Sequence, residues 1–172
     1  MKRYIAFIAL FGWIFLLSNR AFADSRCEYY CRTDSNTIDK ATTIRCLVDY
    51  LRLQGANLAE AKRVIRCVVG EWKRKDGAIG HELSDAFLAS MEANPQAFFS
   101  VMKENEAVFS EWISELQTLS FTWYKDPPSP LEDKRRSLIG FLSEVRSLER
   151  EQDVLRKKLL STISNIKPRQ VE

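Results

Sequence analysis

Beyond its N-terminal apolar run, the chain places hydrophobic residues three and four positions apart, which is the spacing of amphipathic helices. One helix is predicted over about 37–53 and a second over about 58–75. Asn57 is the predicted N-cap of the second helix, with Glu60 completing a capping box, and Gly77 is its predicted stop. The short connection between the two helices predicts an antiparallel hairpin.

Shorter helices are predicted in the middle of the chain. One covers 81–93, Asn94 and Pro95 stop it and start the next, and Asn105 starts a third. A loose repeat, called here the eleven-residue echo, recurs every eleven residues. In each predicted helix it places an aromatic residue four positions before an aliphatic one: Phe87 and Met91, Phe98 and Met102, and Phe109 and Ile113. This echo predicts short helices stacked on a common core and is too short for a tetratricopeptide or ankyrin repeat.

A proline-rich loop over 120–129 precedes the last predicted helix. Ser129 is its N-cap, Pro130 stands at its first position and Glu132 completes a capping box. A heptad seam follows, with members at every seventh position and at an offset of three: Leu131, Leu138, Phe141, Val145, Leu148, Gln152, Leu155, Leu159 and Ile166. The seam predicts one long helix over 130–166 that needs a partner, either within this chain or on another coiled-coil helix.

These elements predict an all-α fold, because the sequence has no sustained alternation of the kind that indicates strands. The architecture expected is a compact helical bundle or a stack of short helices. Three regions of one domain are predicted: a disulfide-linked hairpin over 24–77, short helices over 78–120 and the long heptad helix over 130–166.

The first 23 residues have the three parts of a secretory signal peptide. Lys2 and Arg3 precede an apolar run over 4–17, and small residues stand at Ala21 and Ala23, where a signal peptidase reads. The apolar run is shorter than the roughly 20 residues of a membrane-spanning helix. We therefore predict a cleaved signal over 1–23, a periplasmic or secreted mature protein, and no stable membrane insertion after cleavage.

Removal of the signal changes the charge of the protein. The chain has 26 basic and 23 acidic residues, and three of the basic ones, Lys2, Arg3 and Arg20, lie in the signal. The mature chain is therefore formally neutral, and no nucleic-acid partner is predicted. Residues 81–120 nevertheless hold seven acidic residues against Lys103 alone. Either the rest of the fold neutralises this segment, or it forms an acidic face for a cationic partner.

Four cysteines, Cys27, Cys31, Cys46 and Cys67, all lie in the first third of the mature chain. An even number of cysteines in an exported protein predicts disulfides rather than a zinc site. Because a bond between neighbours on one helix face is uncommon, Cys27 and Cys31 are each expected to pair with Cys46 or Cys67. Which pairs with which is open, and a direct Cys46–Cys67 bond is the alternative.

No catalytic, metal-binding or phosphate-binding motif is present, so no enzyme activity and no cofactor or metal is predicted. His81, the only histidine, is expected to be a solvated residue at a helix start. The carboxylate pairs Glu104 with Glu106 and Glu111 with Glu115 are expected to lie on solvated helix faces. A carboxylate-dependent hydrolase built on such a pair is the weaker alternative.

Phe121, Trp123 and Tyr124 flank the proline-rich loop and form the candidate partner surface, since exposed aromatic residues are frequent hot spots. The alternative is that they close over the core. The function predicted is that of an exported, non-enzymatic protein that binds another protein, as an inhibitor, immunity or adaptor protein does. An oligomeric scaffold that assembles through the heptad helix is the second hypothesis.

Overall fold

The computed structural model describes residues 40–53, 57–75, 77–123 and 129–170. Within these residues the chain forms seven α-helices: α1 Lys40–Leu53, α2 Leu58–Lys73, α3 Gly80–Ala93, α4 Pro95–Lys103, α5 Glu106–Ser120, α6 Ser129–Glu144 and α7 Arg150–Asn165. A 3-10 turn, Gly77–Ile79, precedes α3. The all-α prediction is confirmed, and the predicted signal peptide lies outside the described residues.

One short parallel pairing was not predicted. The two-residue strands β1, Thr122–Trp123, and β2, Arg169–Gln170, pair in parallel, and the Arg169 backbone N–H donates to the Phe121 carbonyl at 3.0 Å. Two residues are too few to leave a period-two pattern in the sequence. The pairing holds the end of the chain beside the end of α5.

The start of α2 forms largely as predicted. The Asn57 side chain accepts a hydrogen bond from the Glu60 backbone N–H at 3.0 Å. The capping box differs, because the Glu60 carboxylate accepts a hydrogen bond from the Tyr50 hydroxyl at 2.9 Å and so links α2 to α1. At the other end Arg74 is the C-cap, and Gly77 opens the 3-10 turn instead of ending α2.

The middle helices meet around Trp112, which is completely buried. The Asn94 side chain caps α4 as predicted by accepting a backbone hydrogen bond at 2.9 Å. The three aromatic residues of the eleven-residue echo all contact the Trp112 ring, with centroids at 5.3 Å for Phe87, 5.8 Å for Phe98 and 6.0 Å for Phe109. These edge-to-face contacts join α3, α4 and α5 into one core.

The prediction of one long helix over 130–166 is wrong. The helix α6 begins at Ser129, where the capping signal placed a start, but it ends at Glu144, and α7 begins at Arg150. Ser147, between them, has a φ of 64°, in the left-handed region that ends helices. The chain folds back, so α6 and α7 pack against each other. The heptad seam thereby finds its partner within the chain, and its members Leu138, Leu155 and Leu159 lie in the core.

Polar contacts explain why the helix breaks at this point. The Glu149 backbone N–H, free of an intrahelical partner at the start of α7, donates to Gln152 Oε1 at 3.3 Å. Gln152 is the one polar member of the heptad seam. Its side chain is buried and makes this capping hydrogen bond. Arg156, only 9% exposed, donates to the Leu142 carbonyl in the last turn of α6 at 2.7 Å. A continuous helix would forgo both contacts.

Replacing Ser147 by glycine is expected to raise the free energy of unfolding by about 0.5–1 kcal/mol, because the left-handed conformation costs a residue with a Cβ about 1–2 kcal/mol. Greater freedom of glycine in the unfolded chain offsets part of the gain. Urea denaturation measures the change. Ser137→Gly, at an exposed position inside α6, is the matched control and should lose stability. Loss of stability in both variants would contradict the assignment of strain to Ser147.

The two described cysteines are oxidised. Cys46 on α1 and Cys67 on α2 are both disulfide-bonded. Cys27 and Cys31 lie outside the described residues, and no complete disulfide lies within them. The structure therefore does not show the predicted disulfide staple of the hairpin, and the pairing stays a prediction.

Candidate functional site: the groove between α1 and α3

A groove of about 390 Å³ lies where α1 packs against α3. Ile44 and Val48, one turn apart on α1, and Ala86 and Ala89 on α3 line it and are buried, so they form its apolar base. Because the two alanines carry only a methyl group, α3 leaves space above them. A cavity of this volume falls within the size range of ligand-binding sites.

Charged side chains form the rim of the groove. Arg45, Asp49 and Arg52 stand one turn apart along α1, and Glu82 and Asp85 stand one turn apart on α3. The rim therefore carries both signs of charge above an apolar base. An apolar base with a few polar groups that fix orientation is typical of binding sites.

Glu82 is the unusual member of the rim. Its Oε2 atom is shielded from solvent and accepts no hydrogen bond from the described residues. A buried polar atom without a hydrogen bond costs about 1–3 kcal/mol, and more for a charged group. The other acidic residue of α3 in the groove, Asp85, has two donors. Glu82 is thus the one groove carboxylate with a shielded oxygen that has no donor.

A chain of hydrogen bonds runs from the core to the rim. Trp112 Nε1 donates to Ser84 Oγ at 2.9 Å, and Ser84 Oγ lies 2.7 Å from Ser120 Oγ. Ser120 Oγ donates to Asp85 Oδ1 at 3.1 Å, so Ser84 must be the donor between the two hydroxyls. Lys134 on α6 donates to the same Asp85 oxygen at 2.8 Å. This chain fixes Asp85 and ties the α3 wall of the groove to α5 and α6.

His81 is not the solvated residue that was predicted. It is partly buried, and its Nδ1 lies 2.7 Å from the Leu119 carbonyl oxygen. Because a carbonyl oxygen only accepts, Nδ1 carries the proton. The contact ties the start of α3 to the end of α5, an arrangement that depends on tertiary packing and leaves no local signal in the sequence.

Of the three residues of the candidate partner surface, the structure tests Phe121 alone. Phe121 is completely buried, with Lys134 Nζ 5.6 Å from its ring centre, because the chain turns over the core at the end of α5. For Phe121 the exposed partner contact is therefore wrong and the alternative, closure over the core, is correct. The backbone of Trp123 lies in β1, while its side chain and the whole of Tyr124 lie outside the described residues.

The acidic middle segment makes several ion pairs within the fold. Glu104 accepts from Arg66 on α2 at 2.9 Å. Glu111 and Glu115 both pair with Lys75, at 3.0 Å and 2.9 Å. The two predicted solvated faces are thus partly engaged by bases of the first region, which weakens the basis for a broad acidic face.

Among the described residues no cluster of potential metal ligands is present.

Lys75 and Glu111 shift each other's titration. Burial lowers the pKa of Lys75, but hydrogen bonds with Glu115 and Glu111 outweigh it and leave the pKa above its usual value. The hydrogen bond with Lys75, followed by one that Trp72 Nε1 donates at 3.1 Å, lowers the pKa of Glu111. The ammonium of Lys75 also lies 3.6 Å from the Trp72 ring centre. These contacts join the end of α2 to α5.

Glu111→Gln is expected to lower the free energy of unfolding by about 0.5 kcal/mol at pH 7, a value reduced by solvent screening because Glu111 is half exposed. A carboxyl whose pKa is lowered in the folded state stabilises above its unfolded pKa, near 4.5, and loses that effect as pH falls through the folded pKa. Urea denaturation from pH 7 to pH 3 should therefore show the variant and wild type converging. Glu92→Gln, exposed on α3, is the control. A difference that persists unchanged at pH 3 would contradict the assignment.

Comparisons of the chain with protein-family models, with curated proteins and with solved structures give no match. None of the helices in the described ranges is long and apolar enough to cross a membrane.

Proposed function

We propose that the protein is exported and binds another protein in the groove between α1 and α3, without catalysing a reaction. The signal pattern over 1–23 supports export. The observation that carries the binding role is the groove itself, in which the buried side chains of Ile44, Val48, Ala86 and Ala89 lie beneath a rim of charged side chains.

The environments of two buried serines and of the one histidine support a non-enzymatic role. The hydroxyls of Ser84 and Ser120 are buried and hydrogen-bonded to each other, out of reach of a substrate. His81 Nδ1 is engaged by a backbone carbonyl. A nucleophile and a general base must lie within hydrogen-bond reach of each other and of the reacting atom. The buried hydroxyls of Ser84 and Ser120 do not meet this requirement.

Site-specific crosslinking in cells tests the binding role. A photo-crosslinking amino acid at Arg52, on the groove rim, is expected to give one discrete adduct with another exported protein, identified by mass spectrometry. The same group at the exposed Arg63 on α2 is the control and should not give that adduct. Ala86→Trp, which fills the groove, should reduce the adduct at least tenfold, whereas Ala107→Trp at an exposed position should not. Equal adducts from both crosslinking positions, or none from Arg52, would refute the proposal.

The oligomeric scaffold has one observation in its favour. Val154 on α7 is 60% exposed, an apolar side chain outside the core. Six of the nine members of the heptad seam are buried and the other three are partly buried, so the seam offers no continuous coiled-coil surface without opening the fold. Sedimentation velocity at high protein concentration decides between the two: the groove proposal is compatible with a monomer, whereas a strict monomer removes the scaffold.

We also propose that Cys27 and Cys31 supply the partner sulfurs of Cys46 and Cys67 and fasten the start of the mature chain to the α1–α2 hairpin. The oxidised state of Cys46 and Cys67 supports this pairing. Peptide mapping of the exported protein under non-reducing conditions should give two disulfides, each joining one early and one late cysteine. A Cys27–Cys31 bond, or free thiols at all four positions, would contradict it.

A further inference from the structure

We propose that the solvent face of α2 is a second binding surface, which takes an acidic segment of a partner protein in extended form. This surface is separate from the groove, to which α2 contributes no residue. The inference follows from the charges on this face, from the glycine at its centre and from its length.

Every exposed charged residue of α2 and its C-cap is basic. These residues, here called the α2 basic face, are Arg63, Arg66, Lys73 and Arg74. The two acidic residues of α2, Glu60 and Glu71, are only partly exposed, and they accept hydrogen bonds from Tyr50 and Arg74. One side of the helix therefore presents cations to the solvent without an acidic residue of its own among them.

Two of the four charges have no carboxylate partner within the fold. Arg66 and Arg74 each pair with an acidic side chain. Lys73 donates instead to the neutral Asn105 side-chain oxygen at 2.9 Å, and Arg63 makes no ion pair in the part of the chain that the structure describes. Hydrogen bonds between cations and carboxylates are about twice as strong as neutral ones. Carboxylates of a partner would therefore complement Arg63 and Lys73.

Gly70 stands at the centre of the α2 basic face. Arg66 precedes it by one turn and Lys73 follows it by one turn, so both flank it on the same side of the helix. A Cβ at Gly70 would meet no atom of the described residues within 4 Å, so no neighbour in the fold requires a glycine there. Glycine is nonetheless unfavourable inside a helix. A bare backbone between cations allows the main chain of a partner to approach α2 closely, which gives the glycine a role.

The length of the α2 basic face matches a short peptide. It runs from Arg63 to Arg74, roughly 16 Å along the helix axis. An extended chain covers that distance in about five residues. Binding to an anionic membrane would also use exposed apolar side chains, and the large one on α2 is Leu58, at the opposite end of the helix. These features favour a protein segment over a lipid surface.

Titration of the purified, oxidised protein with fluorescein-labelled, C-terminally amidated pentaglutamate tests the proposal by fluorescence anisotropy. Saturable binding is expected, and it should weaken as salt is added. The double variant Arg63→Gln, Lys73→Gln should bind at least about tenfold more weakly. The double variant Arg150→Gln, Lys167→Gln removes two exposed charges elsewhere and should bind as wild type does.

Gly70→Leu separates binding from folding. Leucine favours the helix and enters open space, so the urea midpoint should rise, while the new side chain keeps the peptide from the backbone and weakens binding at least about tenfold. Gly140→Leu on α6, an exposed position with the same open surroundings, is the matched control. It should raise the midpoint and leave binding unchanged. Unchanged binding in the Gly70→Leu variant would overturn the proposal.

Other occupants give different results, and each of these overturns the proposal. Pentaglutamate that does not bind, or that binds the Arg63→Gln, Lys73→Gln variant equally well, removes the acidic segment. Sedimentation with phosphatidylglycerol vesicles through the same two residues, without peptide binding, identifies a membrane surface. Peptide binding that appears only after the disulfides are reduced assigns the face to residues 24–39 of this chain. The Arg52 adduct reports on the groove alone, so either proposal can fail without the other.

Discussion

Replacing Trp112 by alanine is expected to lower the free energy of unfolding by about 3–5 kcal/mol, the cost of removing a large aromatic side chain from a core. Trp112 is completely buried and contacts Phe87, Phe98 and Phe109, so its removal leaves a cavity among three helices. The same change deletes the donor to Ser84, at the head of the hydrogen-bond chain that ends at Asp85. The loss should therefore reach the groove as well as the core.

Urea denaturation measures the loss, and Trp112→Phe is the matched control. Phenylalanine keeps most of the aromatic contact but has no N–H for Ser84, so it should cost about 1–2 kcal/mol. An alanine variant that lost less than about 1 kcal/mol would show that Trp112 is not central to the core.

Reducing the disulfides is expected to lower the free energy of unfolding by about 2–4 kcal/mol for each bond. Cys67 lies on a buried face of α2, and its bond removes freedom from the unfolded chain that the folded chain does not have. The Cys67→Ser variant should show a loss of this size under oxidising conditions.

Urea denaturation with and without a thiol reductant separates the bond from the side chain. Under reducing conditions the Cys67→Ser variant and wild type should differ by less than about 1 kcal/mol, the cost of exchanging a buried thiol for a hydroxyl. Wild-type stability that does not change on reduction would contradict a structural role for the disulfides.

The elements that sequence reasoning predicted well are those set by local contacts. Asn57 and Asn94 cap their helices through the next three residues, so neighbours in sequence suffice to identify them. The eleven-residue echo correctly predicted short helices on a common core, because each of its aromatic residues lies on the buried face of its own helix. Trp112, where they meet, lies three positions after Phe109 and so on the same face of α5.

The break at 145–149 escaped prediction because the heptad spacing continues across it. The apolar residues keep the same heptad phase on both sides of the turn. Their spacing is therefore the same for one long helix and for two helices that fold back on each other. Gln152 was the local sign of the break, since a polar residue in an apolar seam can cap the start of a new helix. Sequence reasoning left Phe121 between a partner surface and the core for a related reason, because proximity to a proline-rich loop does not show which way the chain turns.

The groove was not predicted because its two walls are distant in sequence and meet only through packing. Its sequence signals are weak: three charged residues one turn apart on α1, and two alanines, Ala86 and Ala89, three positions apart on α3. Neither pattern identifies a site alone. The unsatisfied oxygen of Glu82 becomes visible only once its surroundings are known.

The parallel pairing of β1 with β2 has a consequence for how the molecule opens. It closes a loop of roughly 50 residues around α6 and α7, and closing a loop of that size costs about 3 kcal/mol in entropy. Opening the pairing regains that entropy, which offsets part of the cost of exposing the buried faces of α6 and α7, so the segment should detach as a unit. Native-state hydrogen exchange should therefore give the amides of α6 and α7 a common opening free energy, lower than that of the helices around Trp112.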